Sequence, residues 1–344
     1  MEIRDIPETT PVPGIIKILG EGCNLVANKV WLMCAPVVLD LFLLFAPKLR
    51  ISDYVQPIFD TAFRQLLNTA NSGAKQMEIS IELLMNSLSA VNLFGFLQTY
   101  PIGVNLLLSS GSSLTPLGKS AEIQMNSLIQ ILAIVVITTV IGILIGTLYY
   151  SVNAAAAVKE SGKFTWKKFG SQLLNVILLY IALIVLLVIL SIPFSCVMTV
   201  GFLISPLIYQ IIMIILIAVG CWALIPLFYI PQAIFVKGLD LPNAVKMSFK
   251  MASWSGTLTI RFILLSLVLS FGLDMIWTIP DQSSWLILIS IFGHAFVSTA
   301  LLSSSFVLFR ELDKWQNENQ RFLEWRKANM TFNKLFKKET ETND

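Results

Sequence analysis

The chain has 344 residues, 56% of them hydrophobic and 13% charged, with a mean hydropathy of +0.76, a balance that excludes an ordinary soluble domain. The net charge of +3 averages basic connecting segments with nearly uncharged runs, so it argues for no nucleic-acid partner; the surroundings it demands are a lipid bilayer. The expected class is all-α, a polytopic membrane helix bundle of six transmembrane helices with interfacial helices and a helical external segment.

In chain order, residues 1–29 mix both charge signs with prolines and lack an A-x-A cleavage site, so no removable signal is expected and the first span is retained. From Pro13 to Lys29, Ile15, Ile16, Leu19, Cys23, Val26 and Ala27 gather on one side and Lys17, Glu21, Asn24 and Lys29 lie largely elsewhere, the pattern of a cytoplasmic helix in the membrane interface. Residues 30–47 carry no basic group and just reach across a core about 30 Å thick, giving span one. Residues 48–124 form the one sizeable external piece. Its charges balance: Lys48, Arg50, Arg64, Lys75 and Lys119 against Asp53, Asp60, Glu78, Glu82 and Glu122. Helical spacing recurs at Val55, Ile58, Phe59, Ala62, Phe63 and Leu66, and less strictly at Ile79, Ile81, Leu83, Leu84 and Leu88. Residues 91–108 are apolar but broken by Gln98, Tyr100, Pro101 and Gly103. Two readings stand there, a re-entrant hairpin and an interfacial helix pair.

Spans two to six fall within 125–309, as apolar runs at about 125–150, 172–196, 205–229, 258–280 and 285–309, with Arg261 their one basic residue, at an edge. The gap after span two holds Lys159, Lys163, Lys167 and Lys168, and the gap after span four holds Lys237, Lys246 and Lys250. The tail 310–344 is also basic, whereas the gaps at 197–204 and 280–284 contain no lysine or arginine. Basic short loops stay inside, so the expectation is a multi-pass protein of the cell inner (plasma) membrane with both termini cytoplasmic. Asp240 and Pro242 start an inner helix whose Val245, Ser248, Phe249 and Ala252 oppose Lys246 and Lys250. In the tail, Trp315, Phe322, Trp325, Phe332 and Phe336 form a heptad-like stripe on a helix continuing span six, suited to the membrane, the inner loops or another chain.

Ionisable groups inside spans are expensive and carry functional hypotheses. Asp40, Asp274 and His294, with Gln210, lie roughly 9 to 15 Å below the outer surface at about 1.5 Å per residue. They read either as a polar pocket for a headgroup, a cation or a proton, or as structural bonding between helices. Gly142 and Gly146 form a GxxxG, continued by Ala154 to Ala157, expected to pack closely on a helix of the same chain or of a second copy. Cys23, Cys34, Cys196 and Cys221 lack metal or redox spacing and read as small core residues. No Walker loop, HExxH, GxSxG or paired-carboxylate motif is present, so neither an enzyme activity nor a cofactor or metal is expected.

The stretch from Phe228 to Leu265, with Ala244 and Ser248 on the inner helix, and the last span closing on Ser303 to Leu312 resemble six-span bacterial membrane proteins. These are similar to the membrane domain attached to some glycerophosphodiester phosphodiesterases. The resemblance departs at Lys237, where that group often has an acid, and at Phe309-Arg310-Glu311, where a Tyr with an acidic and basic cluster is common. Ala35 to Ser52 and Tyr100 to Val104 also look like membrane proteins of Chloroflexi-like bacteria. The resemblance implies a fold and a bacterial plasma membrane, and no phosphodiesterase domain in this chain. The expected role is a non-enzymatic accessory or scaffold whose partners are other membrane proteins or a second copy. The alternatives are a small transporter or channel using the outer polar groups, and an intramembrane lipid enzyme.

Overall fold

The computed structural model describes residues 11–58, 61, 83, 85, 87, 88, 90–109, 113–158, 165–320 and 322. Long apolar runs become helices because a backbone in hydrocarbon has to satisfy its own hydrogen bonds. The described residues include the α-helices α1 Ile15–Asn28, α2 Cys34–Phe45, α3 Leu128–Ala157, α4 Trp166–Ile204, α5 Pro206–Leu224, α6 Ile230–Lys237, α7 Leu241–Trp277 and α8 Ile287–Glu318. Short 3-10 turns at Val30–Met33, Leu93–Leu97 and Ile225–Leu227 link them.

The bundle is all-α and polytopic. Five helical stretches are long and apolar enough to cross a membrane: α3, α4, α5 running on through α6, α7 and α8. A sixth span arises if α1 and Val30–Phe45 count as one, and that pair bends by 95°. Two small sheets sit on the connecting segment: β1 Lys48–Arg50 pairs in parallel with β4 Glu122–Gln124, and β2 Leu114–Thr115 pairs with β3 Gly118–Lys119. The β1–β4 pairing ties together the two ends of residues 48–124, Leu49 opposite Ile123. Residues 52–58, 61, 83, 85, 87 and 88 of that segment are helical. Phe59, Ala62, Phe63, Leu66, Ile79, Ile81 and Leu84 lie outside the described residues.

α8 is the centre of the bundle. Half of its apolar window is buried in protein, against at most 17% for the other four, and it packs on α1, α2, α3, α6 and α7. Its small residues Ala295, Thr299, Ala300, Ser303 and Ser304 are buried and let neighbours approach. α1 runs antiparallel along its C-terminal half: Lys17 and Glu21 lie near Glu311 and Lys314, and a Cβ on Gly22 would stand 2.8 Å from the Ser304 nitrogen. The side of α1 that packs on protein carries Ile18, Gly22 and Val26; of the face expected at the lipid interface only Val26 is buried, while Ile15 and Leu19 are half-buried and Ile16, Cys23 and Ala27 are exposed.

Charged groups lock one end of the bundle, the basic end. Arg310 reaches the Glu21 carboxylate at 2.8 Å and the Ala157 carbonyl at 3.0 Å, and Lys237 pairs with Asp313 at 2.6 Å. A cation on the last carbonyls of α3 also suits the negative end of its dipole. α7 begins at Asp240 as expected and bends at Ser255, whose φ −114°, ψ 17° are not helical. The Ser255 hydroxyl donates to the Met251 carbonyl at 2.7 Å and that of Thr259 to the Ser255 carbonyl at 2.9 Å, side-chain competition that bends helices.

α4 and α5 form an outlying hairpin turned by Ser205, whose hydroxyl accepts from the Leu207 N–H at 3.2 Å. Helix thus continues through 197–204, where the sequence suggested a loop. Cys23, Cys34 and Cys196 are exposed rather than in the core, since the helix faces carrying them look outward. Trp315 is half-buried on α8 and Phe322 is helical; Trp325, Phe332 and Phe336 lie outside the described residues.

Candidate functional site: an inserted segment and the groups that hold it

Asn92 starts the distinctive region. Its side-chain oxygen accepts from the Leu49 N–H at 3.1 Å and the Phe94 N–H at 3.3 Å, capping the turn Leu93–Leu97. Beyond it, Pro101 and Gly103 break regular structure, and residues 98–109 run without helix. Side chains in this stretch are nonetheless buried, with Ile102, Val104, Leu106 and Leu108 all at 4% exposure or less, while Tyr100 and Pro101 are exposed.

Gly142 and Gly146 explain how the segment fits. A Cβ on Gly142 would meet the Leu97 carbonyl at 2.5 Å, and one on Gly146 would meet the Gly103 Cα at 2.7 Å. The GxxxG packs within the chain, but on non-helical backbone instead of on the helix its spacing suggested. Both glycines sit near the middle of α3, which sets the segment alongside the apolar part of that helix.

Buried backbone without helix needs outside partners, and side chains supply them. The Tyr180 hydroxyl donates to the Ile102 carbonyl at 2.7 Å and accepts from its N–H at 3.3 Å. Tyr150 donates to the Pro101 carbonyl at 3.2 Å, and Thr99 to the Ile102 carbonyl at 2.9 Å. Asp40, fully buried on α2, accepts from the N–H groups of Leu107 at 3.2 Å and Leu108 at 3.0 Å. Where the segment begins, buried Lys48 donates to the Leu43 carbonyl and at 3.4 Å to that of Leu44, capping α2. Burial and then the Arg50 charge push its amine below the usual lysine range.

His294 on α8 and Asp274 near the end of α7 form the second polar group, Nδ1 to Oδ1 at 2.9 Å. His294 is buried while the Asp274 side chain is a third exposed, and Trp277 lies flat against Gly293 beside them. Of the four expected residues, His294 and Asp274 pair directly, and Asp40 stands on α2, which packs on α8, with its carboxylate on the Leu107 and Leu108 N–H groups. Gln210 does not join them: it is exposed on α5, which packs on α4 and the Ile225–Leu227 turn. Among the described residues no three His, Cys, Asp or Glu side chains converge as metal ligands. The His294 Nε2 has no partner among them either.

Sequence reasoning missed a polar ladder at the α8 seam. Tyr149 donates to Thr299 at 2.8 Å, Ser303 to Asn153 at 3.2 Å and Gln232 to Ser305 at 3.2 Å. The run of serines from Ser303 to Ser305 was its available signal. Fold and site together define a multi-pass helical membrane protein built around a buried non-helical segment. No family model, curated protein or solved structure matches the chain, so these residues alone carry the functional argument.

Proposed function

We propose that this chain is a non-enzymatic scaffold or accessory protein of a bacterial inner (plasma) membrane. Its basic end and both termini face the cytoplasm, residues 48–124 face outward, and 91–109 form a re-entrant element. Other membrane proteins, or a second copy, are the partners of these surfaces. The observation that carries the reading is the use made of Asp40: its carboxylate is spent on two backbone N–H groups of the buried segment, a holding role. Gly142, Gly146, Tyr150 and Tyr180 serve the same end.

A small transporter is the second reading, favoured by the Nε2 of His294, without a partner among the described residues, beside a partly exposed Asp274. Proton and cation flux across liposomes holding the purified chain separates the two. A scaffold leaves the vesicles as tight as protein-free ones. Flux that His294→Ala abolishes, in a variant melting like the parent, would replace the scaffold with a transporter.

A further inference from the structure

We propose that the basic start of α4 and an apolar cavity further along the same helix form a binding site for one anionic glycerophospholipid. The apolar cavity has a volume of about 760 Å³, inside the ~300–1,000 Å³ usual for ligand sites. Leu179 and Leu183 of α4, Phe228 just before α6 and Leu264 of α7 wall it, together with Trp222 and Leu224, both more than half exposed. A second cavity of about 370 Å³ is lined by Lys167, Lys168, Gln172 and Asn175 of α4, with Ile234 and Gly238 opposite.

The two cavities have no lining residue in common but lie along the same two helices, α4 and α6. On α4, Lys168, Gln172, Asn175, Leu179 and Leu183 recur every three or four residues and so stand on one face; Ile230, Ile234 and Gly238 do the same along α6 and its cap. Between Asn175 and Leu179, about 6 Å of helix rise, the lining changes from basic and polar to apolar. That is the order of polarity along a phospholipid, with its phosphate at the basic end of the bundle and an acyl chain beyond.

Three features select the headgroup. α4 begins at Trp166, so the positive end of its dipole meets the polar cavity. Lys167 and Lys168 add full charges there. Gln172 is 2% exposed; its Nε2 donates to the Phe235 carbonyl at 3.3 Å, while its Oε1 has no partner among the described residues. Asn175 is already engaged, accepting from the Leu241 N–H at 2.9 Å and donating to the Ser171 carbonyl at 2.9 Å. The buried, unpaired acceptor on Gln172 suits a hydroxyl donor, which a glycerol headgroup carries beside its phosphate. Free phosphate would match the lysines and leave the apolar cavity unused.

Native mass spectrometry of the purified full-length chain tests this with phosphatidylglycerol, phosphatidylcholine of the same acyl chains, and inorganic phosphate as competitor. The expected result is one phosphatidylglycerol held per chain in preference to phosphatidylcholine. Lys167→Ala combined with Lys168→Ala should weaken that lipid about 30-fold. Leu183→Trp, which fills the apolar cavity, should weaken both lipids; if it melts early, Leu264→Trp at the exposed rim takes its place. Equal retention of the two lipids, a lysine variant that binds like the parent, or displacement of the lipid by millimolar phosphate would overturn the proposal.

Discussion

Asp40 accepts backbone N–H groups from residues 67 and 68 positions away in sequence. Replacing it by alanine strands two donors in a dry interior, so Asp40→Ala should destabilise the chain by about 3 kcal/mol, and Asp40→Asn, which keeps one acceptor oxygen, by less. A thermal melt of the purified chain in detergent reads both. At the loop between α7 and α8, Asp281 accepts from the Ser283 N–H at 2.8 Å, which holds its carboxyl below the usual value of 3.8. A carboxyl held low stabilises the fold above its ordinary value and loses that contribution as pH falls through the lowered one. Asp281→Asn should therefore flatten the acid limb of a stability–pH curve below about pH 4. The cost of placing Asp40 and His294 in a span was legible in the sequence. The partners of Asp40 were not, because a backbone N–H leaves no mark on residue identity, whereas Asp274, the partner of His294, stood in the same expected cluster.

At the scale of elements, the glycines of α3 were legible as a smooth face, but spacing alone does not say what lies against it. Gly146→Leu should cost about 2 kcal/mol or more by driving a side chain into the Gly103 backbone. Gly220→Leu on α5, where a Cβ meets nothing within 4 Å, should melt like the parent, and the paired melts check the contrast. Breaking the basic clamp gives a local effect. Arg310→Ala removes contacts to Glu21 and the Ala157 carbonyl, and deuterium exchange should rise in α1 more than in α7. Hydropathy gives the first span as one helix of 18 residues, residues 30–47, whereas α2 has 12 and meets α1 at a bend of 95°. Hydropathy marks an apolar run equally whether the chain passes straight through it or turns.

For the whole molecule, the distribution of lysine and arginine carried much of the architecture: apolar runs became helices, and basic gaps gathered at one end. Sequence leaves the unwound segment open to two readings, because Pro101 and Gly103 forbid helix without saying where the chain goes instead. The central claim is that residues 98–109 lie alongside mid-α3 within the membrane. A nitroxide at Tyr100, which is 71% exposed, measures this through its collision rates with oxygen and with a water-soluble nickel complex in bilayers. Labels at Leu148 on α3 and Leu117 between β2 and β3 calibrate the scale. An inserted segment predicts that the label at position 100 matches the one at 148, rich in oxygen collisions and poor in nickel. Nickel accessibility at position 100 equal to that at 117 would contradict it.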